Sequence, residues 1–216
     1  MNIEANIKEY VDGVSDSPSI QPFERYASFD YCFNYFQSFR ERKVINQLFN
    51  NEYLEKSCLQ LGYYLASWGM LRGSTYLLQK SVRAYEPIIK LIAGSDPELW
   101  DIDANTYSED NIERILDFGK QFTKLITNAS DTLITKVMLG VFGNVPAFDT
   151  LFKKGFKTSA FGKKALKRIS SFYQENQVVI ETARRPTIDF ITGNISNRFY
   201  PRAKIIDMIF YIEGTK

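Results

Sequence analysis

An all-α fold, built as a single irregular multi-helix bundle, is what this sequence predicts, and three observations carry the prediction. Apolar residues recur at i, i+3/i+4 and i+7 through most of the chain. Apolar and polar residues nowhere alternate over a sustained run. No Asn-Gly or Asp-Gly pair joins two β-branched runs as a hairpin turn. At 216 residues, 44% hydrophobic and 24% charged, the chain is long enough for one core and has the composition of a globular domain. It carries no fixed-period repeat, which argues against a solenoid.

Residues 1–24 contain Gly13, Ser15-Asp16-Ser17-Pro18 and Pro22 and read as a loosely ordered leader, so that residues 25–216 form the single helical domain. From Ser28 the spacing of Phe29, Phe33 and Phe36, then of Val44, Ile45 and Leu48, predicts two helical pieces meeting near Arg40. Leu54, Cys58, Leu61, Leu65 and Trp68 mark a further helix that breaks at Gly69 and Gly73. Thr75 to Leu78 is a short apolar segment, and a helix follows over roughly Pro87 to Ala93. Residues 94–107 read as a loop with one helical turn after Asp96-Pro97.

Asp110 with Glu113 three residues on has the form of a capping box, opening a helix that carries Ile112, Ile115, Leu116, Phe122, Leu125 and Ile126. Asp131 is the expected cap of the next helix, which ends at Gly143-Asn144, and Pro146 is placed to begin the one after it. Ser159 opens a long helix with Phe161, Ala165, Ile169 and Phe172 on one face and Lys163, Lys167, Ser170 and Gln174 on the other. Arg185-Pro186 interrupts or ends it, and Pro201 starts a terminal helix bearing Ile205, Ile206, Ile209 and Ile212.

The absence of histidine excludes the most. Ser-His-Asp and Cys-His catalysis, HExxH metal sites and His-based phosphotransfer cannot be assembled from this chain alone. Cys32 and Cys58 are too few for a disulfide scaffold or a structural zinc site and read as buried reduced thiols. No cofactor and no metal is expected. The N-terminal MNIEANIKEY lacks the apolar core of a signal peptide. The longest uncharged stretch, Ser57 to Leu71, is shorter than the roughly 20 residues that span a bilayer, so a cytoplasmic protein without membrane insertion is expected.

A net charge of +2 hides an asymmetry. Residues 150–216 hold thirteen Lys/Arg against five acids, +8, which leaves −6 for residues 1–149; between Thr150 and Gln174 there are seven bases and no acid. Such a basic C-terminal third has the density of a phosphate-backbone footprint. The alternative is a solvated face that partners the acidic segment Asp96 to Asp117 of the same molecule.

Other motifs carry less. Gly155 to Gly162-Lys163 has the wrong glycine spacing for a phosphate loop, and no strand precedes it. Asp101-x-Asp103 is too small a set to hold a divalent ion by itself. Glu41 and Lys43 with Asp30 read as helical, whereas the carboxylate-plus-lysine set of metal-dependent nucleases sits on adjacent strands. Two segments are richer. In Tyr63-Tyr64-Leu65-Ala66-Ser67-Trp68-Gly69-Met70-Leu71-Arg72-Gly73-Ser74, small residues flank Trp68 and Arg72 and present an arginine at a helix end, in either a contact site or a tight packing corner. Thr135-Lys136 through Gly143-Asn144-Val145-Pro146-Ala147-Phe148-Asp149 reads as a helix, a glycine turn and a second helix with an acid in its first turn.

These segments, with the closing Lys204-Ile205-Ile206-Asp207-Met208-Ile209-Phe210, resemble a group of uncharacterised bacterial proteins that carry Leu-Ala-Ser-Trp-Gly-Met and Gly-Val-Pro-Ala-Tyr-Asp type strings, over most of the chain after residue 25. The second segment also resembles, more loosely, the helix-turn-helix stretch of helix-hairpin-helix DNA glycosylases. That resemblance implies an all-α DNA-binding fold with Asp149 as the candidate carboxylate, although the family's Leu-Pro-Gly-Val-Gly hairpin and its catalytic lysine are absent.

Three functional readings follow. In the first, the protein is a helical binder whose Lys153, Lys154, Lys163, Lys164 and Lys167 position the phosphates of a nucleic acid, DNA more than RNA, or meet an acidic partner protein, with Trp68 and Arg72 giving a more specific contact. In the second it is a His-independent enzyme acting on a nucleic acid or nucleotide, with Asp149 as general base or electrostatic stabiliser and Lys136 or Arg72 as its cationic partner. In the third it is a structural helical subunit that assembles with a protein partner or with itself. Clustering of Arg72, Lys136 and Asp149 in one pocket favours the second.

Overall fold

A computed structural model describes residues 1–13, 19–73, 75–127 and 129–216. Its helices are α1 (Ile3–Asp12), α2 (Ala27–Glu41), α3 (Leu54–Ser67), α4 (Glu86–Ala93), α5 (Glu109–Leu125), α6 (Asp131–Val141), α7 (Thr150–Phe156), α8 (Lys163–Glu175), α9 (Gln177–Ala183) and α10 (Arg202–Thr215). Short 3-10 turns fill the stretch from α2 to α5, and a small antiparallel hairpin, β1 (Pro186–Ile188) with β2 (Ile195–Phe199), precedes α10. The predicted class, a mostly helical irregular bundle, is the one observed. Among the described residues no helix is long and apolar enough to cross a membrane.

Helix α6 is the axis of the molecule. From Leu133 to Phe148 every residue is buried, so beyond its first two residues this helix has no solvent-exposed side, and α2, α3 and α5 pack around it. Gly140 makes one of these approaches possible, because a Cβ there would strike the ring of Tyr64 on α3. The connector that follows α6 is buried in irregular conformation, so side chains must take its backbone polar groups. Gln37 Nε2 donates to the Val141 carbonyl at 2.8 Å, the Tyr107 hydroxyl donates to the Asn144 carbonyl, and the Ala147 N–H donates to Asp207 Oδ1 at 2.9 Å. Thr135 Oγ1 accepts from the Phe148 N–H at 2.8 Å, and Thr132 Oγ1 donates to the Phe148 carbonyl at 3.0 Å. These bonds fix the chain where it enters α7.

Helices α7 and α10 pack with their backbones in contact. A Cβ on Gly155 would collide with the Phe210 carbonyl, and one on Gly214 with the Leu151 carbonyl. Helix α10 is buried along nearly its whole length, including Lys204 and Asp207.

Several local expectations are corrected. The first 24 residues are not all a loose leader: α1 lies across α10, with Tyr10 and Asn6 buried and Asn6 Nδ2 donating to the Ile209 carbonyl at 3.1 Å. The signal was Ile3, Ile7, Tyr10 and Val11 at helical spacing, set in a polar composition that masked it. Ser15-Asp16-Ser17-Pro18 lies outside the described residues. The caps are serines one or two positions earlier than expected: Ser108 Oγ accepts from the Asn111 N–H and Ser130 Oγ from the Leu133 N–H, which leaves Asp110 and Asp131 in first turns. Asp131 Oδ2 instead accepts from the Phe161 N–H at 2.8 Å.

Pro146 does not open a helix. It belongs to the buried connector, and Asp149 caps α7 with Oδ1 accepting from the Phe152 N–H at 3.0 Å. The long helix expected from Ser159 starts at Lys163 and is divided at Asn176 into α8 and α9. The β hairpin was not foreseen. Its strands are too short to show alternation, and they join through a six-residue turn in which Asp189 Oδ1 accepts from the Thr192 N–H at 2.9 Å and Gly193 takes φ 68°.

Candidate functional site

The end of α3 and the turn behind it form one side of a pocket of about 370 Å³, lined there by Ala66, Ser67, Trp68, Gly69, Met70, Leu71 and Arg72. Thr132 and Lys136, one turn apart on α6, supply the floor. Asp149, Thr150 and Leu151 at the start of α7 close the opposite wall, and Arg25 and Tyr211 complete the rim. Arg72, Lys136, Asp149 and Trp68, dispersed over 82 residues of sequence, thus share one cavity. Its charged lining is three cations against one carboxylate.

Lys136 is the most constrained of them, with 5% of its surface exposed. Its ammonium donates to the Trp68 carbonyl at 2.6 Å and lies 3.5 Å from Asp149 Oδ2, which leaves one of its three protons for the cavity. Burial lowers its pKa, against the opposing pull of Asp149 and Asp207, and neighbouring Arg72 lowers it further. Asp149 uses one carboxylate oxygen for its cap and turns the other toward Lys136. The turn geometry presents the rest: Gly69, at φ 78°, lets the chain reverse after α3, and the Arg72 guanidinium lies where a side chain on residue 69 would stand.

Behind this wall is a second layer that the sequence did not single out as functional. Lys204 Nζ donates to the Tyr10 hydroxyl and to Asp207 Oδ2, both at 2.9 Å, and lies about 5 Å from the ring centres of Tyr10, Phe29 and Trp68. Burial raises the pKa of Asp207, opposed by Lys204. Trp68 stacks on Tyr26 at 5.3 Å, Tyr26 on Tyr10 at 4.4 Å, and Tyr211 meets Trp68, Tyr26 and Tyr10 edge-on. The Arg25 guanidinium sits 5.3 Å from the Trp68 ring centre. Trp68 is therefore a structural member of a stack, held with its carbonyl toward Lys136. The i, i+3 spacing of Lys204 and Asp207 within an otherwise apolar helix was the available signal for this layer.

The basic stretch is divided. Lys163 and Lys167 both form ion pairs with Glu109 on α5, and Lys163 holds the Glu109 carboxyl below its usual range. Lys164 is exposed on α8; Lys153 and Lys154 are on α7, one turn beyond the pocket wall, and none of these three forms an ion pair among the described residues. The smaller carboxylate motifs go to separate structural tasks. Asp101 pairs with Arg40 and Glu41 with Arg198, while Asp103 accepts from the Arg202 and Ala203 N–H groups, both at 2.8 Å, at the start of α10. No family model, curated protein or solved structure matches the chain.

Proposed function

We propose that the protein is a His-independent enzyme that acts on a nucleotide or nucleic acid in the Arg72, Lys136 and Asp149 pocket. One observation carries this reading: buried Lys136, on the floor of a solvent-connected cavity, pairs with half-buried Asp149 on its wall, and the rim adds two arginines. A lysine withdrawn from water beside a half-buried carboxylate gains little stability over an apolar residue of the same size, so its place at a cavity floor fits chemistry better than packing. The surplus of positive charge selects an anionic ligand. Arg72 and Arg25 at the rim suit phosphate oxygens, Lys136 stabilises charge that develops deeper in the cavity, and Asp149 serves as base or electrostatic stabiliser.

The pairing of Lys163 and Lys167 with Glu109 weighs against α8 as the primary contact surface. The test compares three variants in ligand binding and in turnover over a panel of nucleotides and oligonucleotides. Arg72→Glu is expected to weaken binding by tenfold or more, the effect of losing a charged hydrogen bond of about 1.5–3 kcal/mol. Asp149→Asn, which preserves a good helix cap, is expected to bind and to lose turnover. Lys163→Glu with Lys167→Glu is expected to do neither. Binding lost in the double lysine variant and retained in Arg72→Glu would move the function to the basic helix.

A further inference from the structure

The walls of the pocket contain an aromatic stack, but its central ring, Trp68, is already covered and Tyr211 at the rim is only half-exposed. Tyr26 covers one face of Trp68 and Arg25 lies over the ring as well, while Tyr211 meets it edge-on. A more open π surface for a nucleobase lies just outside the stack. Tyr63 supplies one: it is 70% exposed, and it stands one turn before Ala66 and Ser67, which line the pocket, on the same face of α3. Its neighbour Tyr64 points the other way, buried against Gly140, so the helix presents Tyr63 outward. Leu59, half-exposed one turn earlier, extends the same outward stripe. On the opposite wall, exposed Lys154 stands one turn beyond Thr150, which lines the pocket.

We infer that the ligand is a single strand of nucleic acid, with an unpaired base stacked on Tyr63 and successive phosphates held by the rim arginines Arg72 and Arg25 and by Lys154. This rests on the pocket reading above and narrows it. A mononucleotide would leave Lys154 without a phosphate. A duplex keeps its bases stacked on one another and offers no free face to a surface tyrosine, whereas aromatic stacking with a cationic track is how single strands are held without sequence preference.

The experiment measures fluorescence anisotropy of a labelled single-stranded DNA octamer, the same sequence as a duplex, and a labelled mononucleotide, at low and moderate salt. The parent is expected to bind the single strand more tightly than either of the others. Tyr63→Ala is expected to weaken single-strand binding about five- to hundredfold, the range of one lost base stack, and Tyr63→Phe to restore it. Lys154→Ala is expected to weaken the single strand and leave the mononucleotide unchanged. If Arg72→Glu abolishes binding while Tyr63→Ala leaves it intact, or if the duplex binds as tightly as the strand, the single-strand inference falls and the pocket stands. If Arg72→Glu changes nothing, the pocket reading falls with it.

Discussion

Asp30 is buried against Tyr200 and the start of the hairpin, where it accepts the Tyr200 hydroxyl and the Ile188 N–H, the latter at 2.7 Å. Burial outweighs these donors and lifts its pKa to about 7. A carboxyl whose pKa is higher folded than unfolded adds stability that is complete below its unfolded value, near 3.8, and is lost as pH rises through about 7. The unfolding free energy from urea titrations is therefore expected to fall between pH 5 and pH 8, by an amount on the order of a few kcal/mol. Asp30→Asn is expected to be less stable than the parent at pH 5 and to show a much flatter profile. An unchanged slope in that variant would assign the titration to other groups. The sequence singled out Asp30 only as part of a nuclease-like set, because a lone acid among Phe29, Cys32 and Phe33 does not reveal which donors will meet it from 170 residues away. Lys136 and Asp149 were legible as candidates for the site, being a lysine in an apolar helix and an acid after a Pro-containing turn; Arg25 was not, since nothing local distinguishes it from a surface arginine.

Between elements, glycine substitutions separate helix propensity from packing. Alanine in a helix interior is normally more stable than glycine by about 0.5–1 kcal/mol. Gly119 in α5 has room for it, with Phe161 and Ile134 at 3.5 and 3.7 Å from the added carbon, so Gly119→Ala is expected to raise the melting temperature. Gly155→Ala meets backbone that cannot rotate away, and is expected to destabilise by about 1–3 kcal/mol despite the same propensity gain. Thermal melts of the two variants check both signs. Helix existence could be read from periodicity for α2, α3, α5 and α10. Starts were displaced where an acid and a serine both stood near the first turn, as at Ser108 with Asp110 and Ser130 with Asp131, since either can cap and only the chain direction decides. The close approach of α7 to α10 left no such mark, because a small residue in a helix does not say which backbone it will face.

Over the whole molecule the charge asymmetry resolves partly into internal pairing. Glu109 on α5 meets Lys163 and Lys167 on α8, so the acidic and basic parts of the sequence share an exposed seam. Lys163→Glu with Lys167→Glu is expected to lower the melting temperature at low salt, with the difference closing as salt screens the exposed charges. A salt-independent loss would mean that the seam is held by packing. The helical class was legible because it rests on repeated periodicity summed over many segments, whereas the pocket needed the third dimension to bring α3, α6 and α7 together. The unbroken burial from Leu133 to Phe148 has a consequence for how such a protein can diverge. Lys136 and the approach to Asp149 are embedded where each neighbour constrains the next, so the floor can drift only by volume-preserving exchange. Arg25, Tyr63, Arg72 and Lys154 are anchored in the same frame yet face water. Descendants of this sequence could exchange that rim one residue at a time over an inherited, unchanging floor.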